Sequence, residues 1–213
     1  MKIRYRNLKR SDYGRIKKII DDTWDFSDDV DDEKALNHCL NVFLHDYLGW
    51  SNYTKVAVAN DKVVGFLFGR CDKLSYLKQR FLHFFPYHFS KWALLFNKGG
   101  RFGLKIFRIT DRVNNQLIQN HTKEFDAELC LFVVAENYAG EGIGSALLTD
   151  FHKFLKKNKA KNYFLYTDTY CDVGFYHRKE YDLISLDTVD FGDNEKKLPK
   201  YALYGCRLDK VKI

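Results

Sequence analysis

Ala127-Glu-Leu-Cys-Leu-Phe-Val-Val-Ala-Glu-Asn-Tyr-Ala-Gly-Glu-Gly-Ile-Gly-Ser-Ala-Leu-Leu148 runs from an apolar strand through a glycine-rich turn into an amphipathic helix. Gly140, Gly142 and Gly144 let the backbone approach a ligand closely, and the first amides of the following helix have no intrahelical acceptor. A pyrophosphate at this turn would also meet the positive end of the helix dipole.

The flanks extend this reading. Phe125, Ala127, Leu129, Leu131 and Val133 alternate with Asp126, Glu128, Cys130, Phe132 and Val134, and from Leu129 onward both sets are apolar. That is the pattern of a central strand covered on both sides. Downstream, Ile143, Leu147, Phe151, Phe154 and Leu155 recur at helical spacing, with Lys153, Lys156, Lys157 and Lys159 gathered where the dipole favours cations, so the helix is predicted to end near Asn158. Asn162–Asp168 reads as a further buried strand and leads to a short helix carrying Phe175-Tyr176.

Two phosphate motifs fail on this turn. It reads G-x-G-x-G rather than G-x-G-x-x-G, and Gly144 is followed by Ser145 with no lysine of a P-loop. The window Ala139-Gly-Glu-Gly-Ile-Gly144 instead resembles the coenzyme A loop of the GNAT superfamily of N-acetyltransferases, Gln/Arg-x-x-Gly-x-Gly/Ala after the fourth strand. Ala139 stands where the family has Gln or Arg, which removes a side-chain contact and leaves the backbone donors. The strand after the loop helix, followed by a helix with a Phe-Tyr pair, is similar to the family order as well.

The rest of the chain is consistent with that order. Lys2 to Leu8 reads as a strand; Ser11 is a candidate N-cap for a helix with Tyr13, Ile16, Ile20 and Trp24 on one face; a second helix covers Asp32 to Leu48. Lys55–Ala59 and Lys62–Phe68, joined by Asn60-Asp61, form a hairpin, and Tyr181–Phe191 with Lys200–Leu208 give a final antiparallel pair. The resemblance thus implies an α/β (α+β) fold: a GNAT-like mixed, mostly antiparallel sheet with helices on both faces, in one domain over residues 1–213.

About fifty residues, 72–123, exceed an ordinary connection and are predicted to be a helical insertion before the central strand. Tyr76, Phe81, Phe84, Phe85, Tyr87, Phe89, Trp92 and Phe96 are interleaved there with Lys73, Lys78, Arg80, Lys91, Lys98, Arg101, Lys105 and Arg108. Helices packed on the domain as a lid or as a homodimer contact are the expectation; a membrane surface or nucleic acid is the less favoured partner.

Composition agrees with one globular unit: 213 residues, 46% hydrophobic, two prolines. No run approaches the roughly 18 apolar residues of a membrane span, and the N-terminal residues lack a signal-peptide core, so a cytoplasmic protein is expected. Cys39, Cys71, Cys130, Cys171 and Cys206 are scattered, odd in number and without a C-x-x-C pair, which argues for thiols over disulfides or zinc. The net charge of +7 is spread along the chain, against a dedicated nucleic-acid site.

Acyl transfer to an amine needs a proton acceptor, a polarised carbonyl and a proton donor for the thiolate. Glu128 falls where GNAT histone acetyltransferases place their general base; its alternative is a carboxylate paired with Arg, Lys or Tyr, with Glu136 and Asp168 as substitute bases. Tyr176 corresponds to the family's general acid near the coenzyme sulfur, and a phenol with a pKa of about 10 stays protonated at neutral pH. His177, its neighbour, is expected to face solvent. The resemblance further implies main-chain pairing of Phe132, Val133 and Val134 with the pantetheine arm. Phosphates would be held by amides of Ala139, Gly140, Glu141, Gly142, Ile143, Gly144 and Ser145. Thr169 stands where a coenzyme-binding Asn is frequent.

Acetyl-CoA is the implied co-substrate, no metal is required, and the acceptor is a primary amine of a small molecule or peptide. Asp21, Asp22, Asp25, Asp28, Asp29, Asp31, Asp32 and Glu33 would attract a cationic acceptor, or form a solvated loop with helix-end charges. Two other classes remain: a coenzyme A-binding regulator, and an interaction module built on the aromatic insertion.

Overall fold

The computed structural model describes residues 2–169, 173–188 and 199–211. Among these, seven strands form one sheet in the order β1-β2-β3-β4-β5-β7-β6. The strands are β1 (Arg4–Asn7), β2 (Tyr53–Ala59), β3 (Lys62–Cys71), β4 (Ala127–Val134), β5 (Asn162–Asp168), β6 (Asp182–Thr188) and β7 (Lys200–Arg207). Only β4 and β5 run parallel; every other neighbouring pair is antiparallel. The mixed, mostly antiparallel architecture is as the sequence predicts.

The β2–β3 hairpin turns on Asn60 and Asp61, both left-handed at φ 47° and 60°, as a two-residue primed turn demands. Helix α1 (Tyr13–Trp24) follows a 3-10 turn at Arg10–Asp12. Ser11 lies inside that turn and does not cap the helix. Asp12 takes the start instead, accepting from the Lys9 amide at 2.8 Å and from both Arg6 guanidinium nitrogens at 2.7 and 2.8 Å. The pairing with β1 fixes the turn more strongly than a serine hydroxyl would. After the short α2 (Phe26–Asp29), Asp32 caps α3 (Glu33–Trp50) by accepting from the Ala35 amide at 2.7 Å.

The insertion is a helical pair, α4 (Leu77–Leu94) and α5 (Lys98–Ile118). Val113, Leu117 and Ile118 of α5 pack on Phe164, Tyr201 and Leu203 of the sheet, while Leu94 and Leu104 join Cys39 and Val42 of α3. Helices α1, α3 and α5 therefore cover one face. The other face receives α6 (Ile143–Lys157) through Leu147, Leu148, Phe151 and Leu155, and α7 (Val173–Arg178) through Tyr176. The buried side of α4 is His83, Ser90 and Leu94, and its phenylalanines, Phe81, Phe84, Phe85 and Phe89, face outward.

Strand β4 serves both cores because of a bulge. Phe68 pairs with Leu131 and Gly69 with Leu129, which leaves Cys130 as an extra residue. Before it, Ala127 and Leu129 point into the α6 core; after it, Leu131 and Val133 point into the α1/α3 core. Among the described residues no helix is long and apolar enough to cross a membrane, and Cys39, Cys71, Cys130 and Cys206 are free thiols. Cys171 and the end of the predicted Tyr181–Phe191 strand lie outside the described residues.

Candidate active site

The glycine turn has the geometry of an anion cradle. After a 3-10 turn at Glu136–Tyr138 and an extended, exposed Ala139, Gly140 and Gly142 are left-handed at φ 81° and 74°. A Cβ on either would meet no atom within 4 Å, so the space beside the backbone is open. No side chain caps α6, and the Ala146 amide donates to the Gly142 carbonyl at 3.0 Å. The amides of Ile143, Gly144 and Ser145 thus have no acceptor within the helix. Gly144 is needed for a different reason: a Cβ there would lie 3.1 Å from the Phe132 ring.

Beside this turn the sheet opens. Strands β4 and β5 pair only at Glu128/Phe164 and Leu129/Leu165, and beyond that point they diverge. The Ala135 amide donates to Val64 at 2.9 Å, so by strand alternation Val133 turns its amide toward β3, and Phe132 and Val134 turn theirs into the wedge. An extended ligand chain has a sheet edge to pair with there.

A cavity of about 620 Å3 runs through the wedge and is lined from both faces of the sheet. Tyr176 and Phe132 contribute from the α6 side; Phe43, Asp46, Phe107 and Asp111 contribute from the α3/α5 side. Burial pushes the Asp46 carboxyl up to about 6, helped by the charge of Asp111 and opposed by Lys91. Asp111 is raised too, mainly by burial, with Lys91 again opposing. Two further wall atoms, Asn114 Oδ1 and Thr167 Oγ1, are buried with no hydrogen-bond partner.

Tyr176 is 7% exposed, its ring stacked on Tyr204 at 5.8 Å and edge-on to Phe175 and Tyr181. Phe175 in turn packs on Phe132, tying α7 to the wedge. His177 is exposed, as expected, but its Nε2 also meets the Tyr204 hydroxyl at 3.0 Å. Glu128 lies one residue before the cavity wall begins on β4, ion-paired to Arg70 at 2.9 Å. Burial raises its carboxyl while Arg70 pulls it down. Of the substitute bases, Asp168 is buried on the cavity wall and Glu136 is exposed. The Thr169 hydroxyl accepts from the Lys200 amide at 3.4 Å, which ties it to β7.

The acidic run at 21–33 divides among local tasks. Asp21 accepts from the Ser27 amide, Asp32 caps α3, Asp25 adopts the left-handed conformation that ends α1, and Asp29 reaches the cavity. The carboxylates deeper in the wall, Asp46 and Asp111, were missed because each is a single acid in a helical stretch. Asp46 carries a signal, since α3 places Val42, Phe43 and Trp50 one turn away from it, whereas Asp111, between Thr110 and Arg112 on α5, carries none.

Residues 15–179 match the model of the Acetyltransferase (GNAT) family. The chain belongs to that family. No curated protein matches the sequence. Among solved structures, an agmatine N-acetyltransferase is similar with a TM-score of 0.56 at 10% identity, covering 96% of this chain and 99% of its own. An N-acetyltransferase from Staphylococcus aureus gives 0.54 at 13% identity, covering 98% and 99%. A ribosomal-protein alanine N-acetyltransferase from Escherichia coli gives 0.53 at 10% identity over both whole chains. At these identities the likeness is one of fold. Membership of the GNAT family makes the chain an acyltransferase, of a family whose acyl donor is acetyl-CoA.

Proposed function

We propose that the chain, as one domain over residues 1–213, moves an acetyl group from acetyl-CoA to the primary amine of a small molecule or peptide, by direct attack. The observation that carries this reading is the cavity through the β4/β5 wedge, which gives a donor on the α6 face and an acceptor on the α3/α5 face a common point of contact. Acetyl-CoA would supply the activated thioester carbonyl. The amides of Ile143, Gly144 and Ser145, with the open glycine backbone before them, fit its pyrophosphate, and the wedge-facing amides of Phe132 and Val134 fit the pantetheine arm.

Tyr176 is assigned to donate a proton to the departing thiolate, held by its stack on Tyr204. Glu128 is assigned to accept the amine proton through water, since the cavity wall begins one residue beyond it. The acceptor we infer is cationic: its apolar stem would lie among Phe43, Tyr47 and Phe107, its charge toward Asp46 and Asp111.

The test is thermal unfolding with and without acetyl-CoA, followed by release of coenzyme thiol across a panel of amines. A rise in Tm that free coenzyme A also produces, with turnover on diamines above neutral amines, is expected. A rise without turnover on any amine would leave a coenzyme-binding protein, and no rise would remove the reading. Tyr176→Phe should lower kcat about 100-fold with the coenzyme Kd nearly unchanged.

A further inference from the structure

Helix α4 and the turn after it present an apolar stripe to solvent, of which Trp92 alone also lines the acyl-transfer cavity. Leu77, Phe81, Phe85, Phe89, Trp92 and Phe96 follow one another at three- and four-residue steps and are between 60% and 75% exposed. The opposite side of the same helix, His83, Ser90 and Leu94, is buried. The stripe is therefore the outer face of a packed helix. A contiguous apolar face of this size in water marks a contact surface.

Its charge surroundings decide what the contact is. From Lys73 to Thr110 the sequence has no Asp or Glu, and it carries Lys73, Lys78, Arg80, Lys91, Lys98, Arg101, Lys105 and Arg108. All eight of these cations are exposed. A second copy of the chain laid face to face would bring two such acid-free segments together, with like charges opposed at the rim. An anionic lipid surface meets the same face with apolar depth under the rings and negative headgroups beside the cations. Among the described residues no helix is long and apolar enough to span a bilayer, which leaves the interfacial orientation for α4.

We propose that the outward face of α4, from Leu77 to Phe96, docks on an anionic lipid bilayer. The rings of Phe81, Phe85 and Trp92 enter the acyl boundary, and Lys78 and Lys98 lie at headgroup level. This inference stands on the surface alone and is independent of the acceptor or of catalysis.

The experiment uses the full chain with unilamellar vesicles of phosphatidylcholine alone or mixed with phosphatidylserine, read by co-sedimentation and by quenching of tryptophan fluorescence with brominated lipid. At least tenfold more protein is expected on the mixed vesicles, with binding reduced by added salt. The paired exposed substitutions Phe81→Glu and Phe85→Glu should abolish it while leaving Tm unchanged, and Trp92→Phe should remove most of the quenching. Three results would each overturn the proposal: no vesicle binding at low salt, binding indifferent to the paired substitution, or a concentration-dependent doubling of mass without vesicles that the same substitution abolishes. The last would assign the face to a second copy of the chain.

Discussion

Arg70 and Glu128 occupy paired positions on β3 and β4, Nη1 to Oε2 at 2.9 Å, and Arg70 also reaches Asp72 through Nε at 2.6 Å. Both side chains of the β3–β4 pair are largely shielded, 16% and 14% exposed, so each ion depends on the other. Arg70→Gln should therefore destabilise the fold by about 3 kcal/mol, read from urea unfolding, because it leaves a shielded carboxylate without its cation.

Glu128→Gln separates the two tasks of that carboxylate. As proton acceptor its loss should reduce kcat about 100-fold and remove the acidic limb of the pH–rate profile. Turnover that survives the substitution would confine Glu128 to holding Arg70.

Acid should weaken the fold through its histidines. His45, whose Nδ1 meets that of His83 at 2.7 Å, is lowered to about 4 by burial and by His83; His152, bonded to the Tyr163 hydroxyl at 2.7 Å, is lowered to about 4 by burial and by Lys156. The folded state favours their neutral forms, so their stabilisation is complete above the ordinary histidine value of 6.5 and is lost as pH falls toward 4. Asp46, raised to about 6, acts in the opposite sense and regains stability as it protonates. From pH 7 to pH 5 the balance is a net loss of roughly 2 kcal/mol. Urea midpoints at the two pH values check it; a midpoint higher at pH 5 would contradict the assignment.

Gly142→Ala tests the turn. A Cβ there strikes nothing, so the cost comes from the left-handed backbone alone, about 1 kcal/mol. The same change should weaken coenzyme A binding several-fold, visible as a smaller ligand-induced rise in Tm.

Asp111→Asn probes the acceptor. Removing one of two facing acids should raise KM for a diamine about tenfold with little change in kcat, and should leave KM for a neutral amine unmoved. Equal effects on both amines would point to a purely structural carboxylate.

Elements governed by local chemistry were legible in the sequence. Asn60-Asp61 can hardly be other than a tight turn, Asn162–Asp168 is a strand over those same residues, and the glycines lead into a helix that stops at Asn158. What escaped depends on contacts between distant segments. Ser11 looks like a cap until Arg6, on β1, claims Asp12. The run at 21–33 looks like one acidic rim until Asp21 and Asp32 are taken up by backbone amides and Asp29 by the cavity wall. Asp46 and Asp111 are unremarkable apart, and acquire a common role only when α3 and α5 face one cavity. The aromatic set of α4 is visible in the sequence, but the side that packs, the one carrying His83 and Ser90, is not.

The bulge at Cys130 works as a phase shift in the alternation of β4. Residues on either side of it obey the same inside-outside rule with opposite sign, so which way the downstream side chains face depends on the bulge as well as on the apolar pattern. Removing Cys130 would restore an unbroken pleat in which Leu131 and Val133 keep the α3 side and Phe132 the α6 side, whereas a regular strand that kept Cys130 would turn Phe132 toward α3 and Val133 toward α6. Swaps of one apolar side chain for another can be absorbed by repacking, whereas straightening the bulge with its residue in place would turn over the strand that aims the glycine turn.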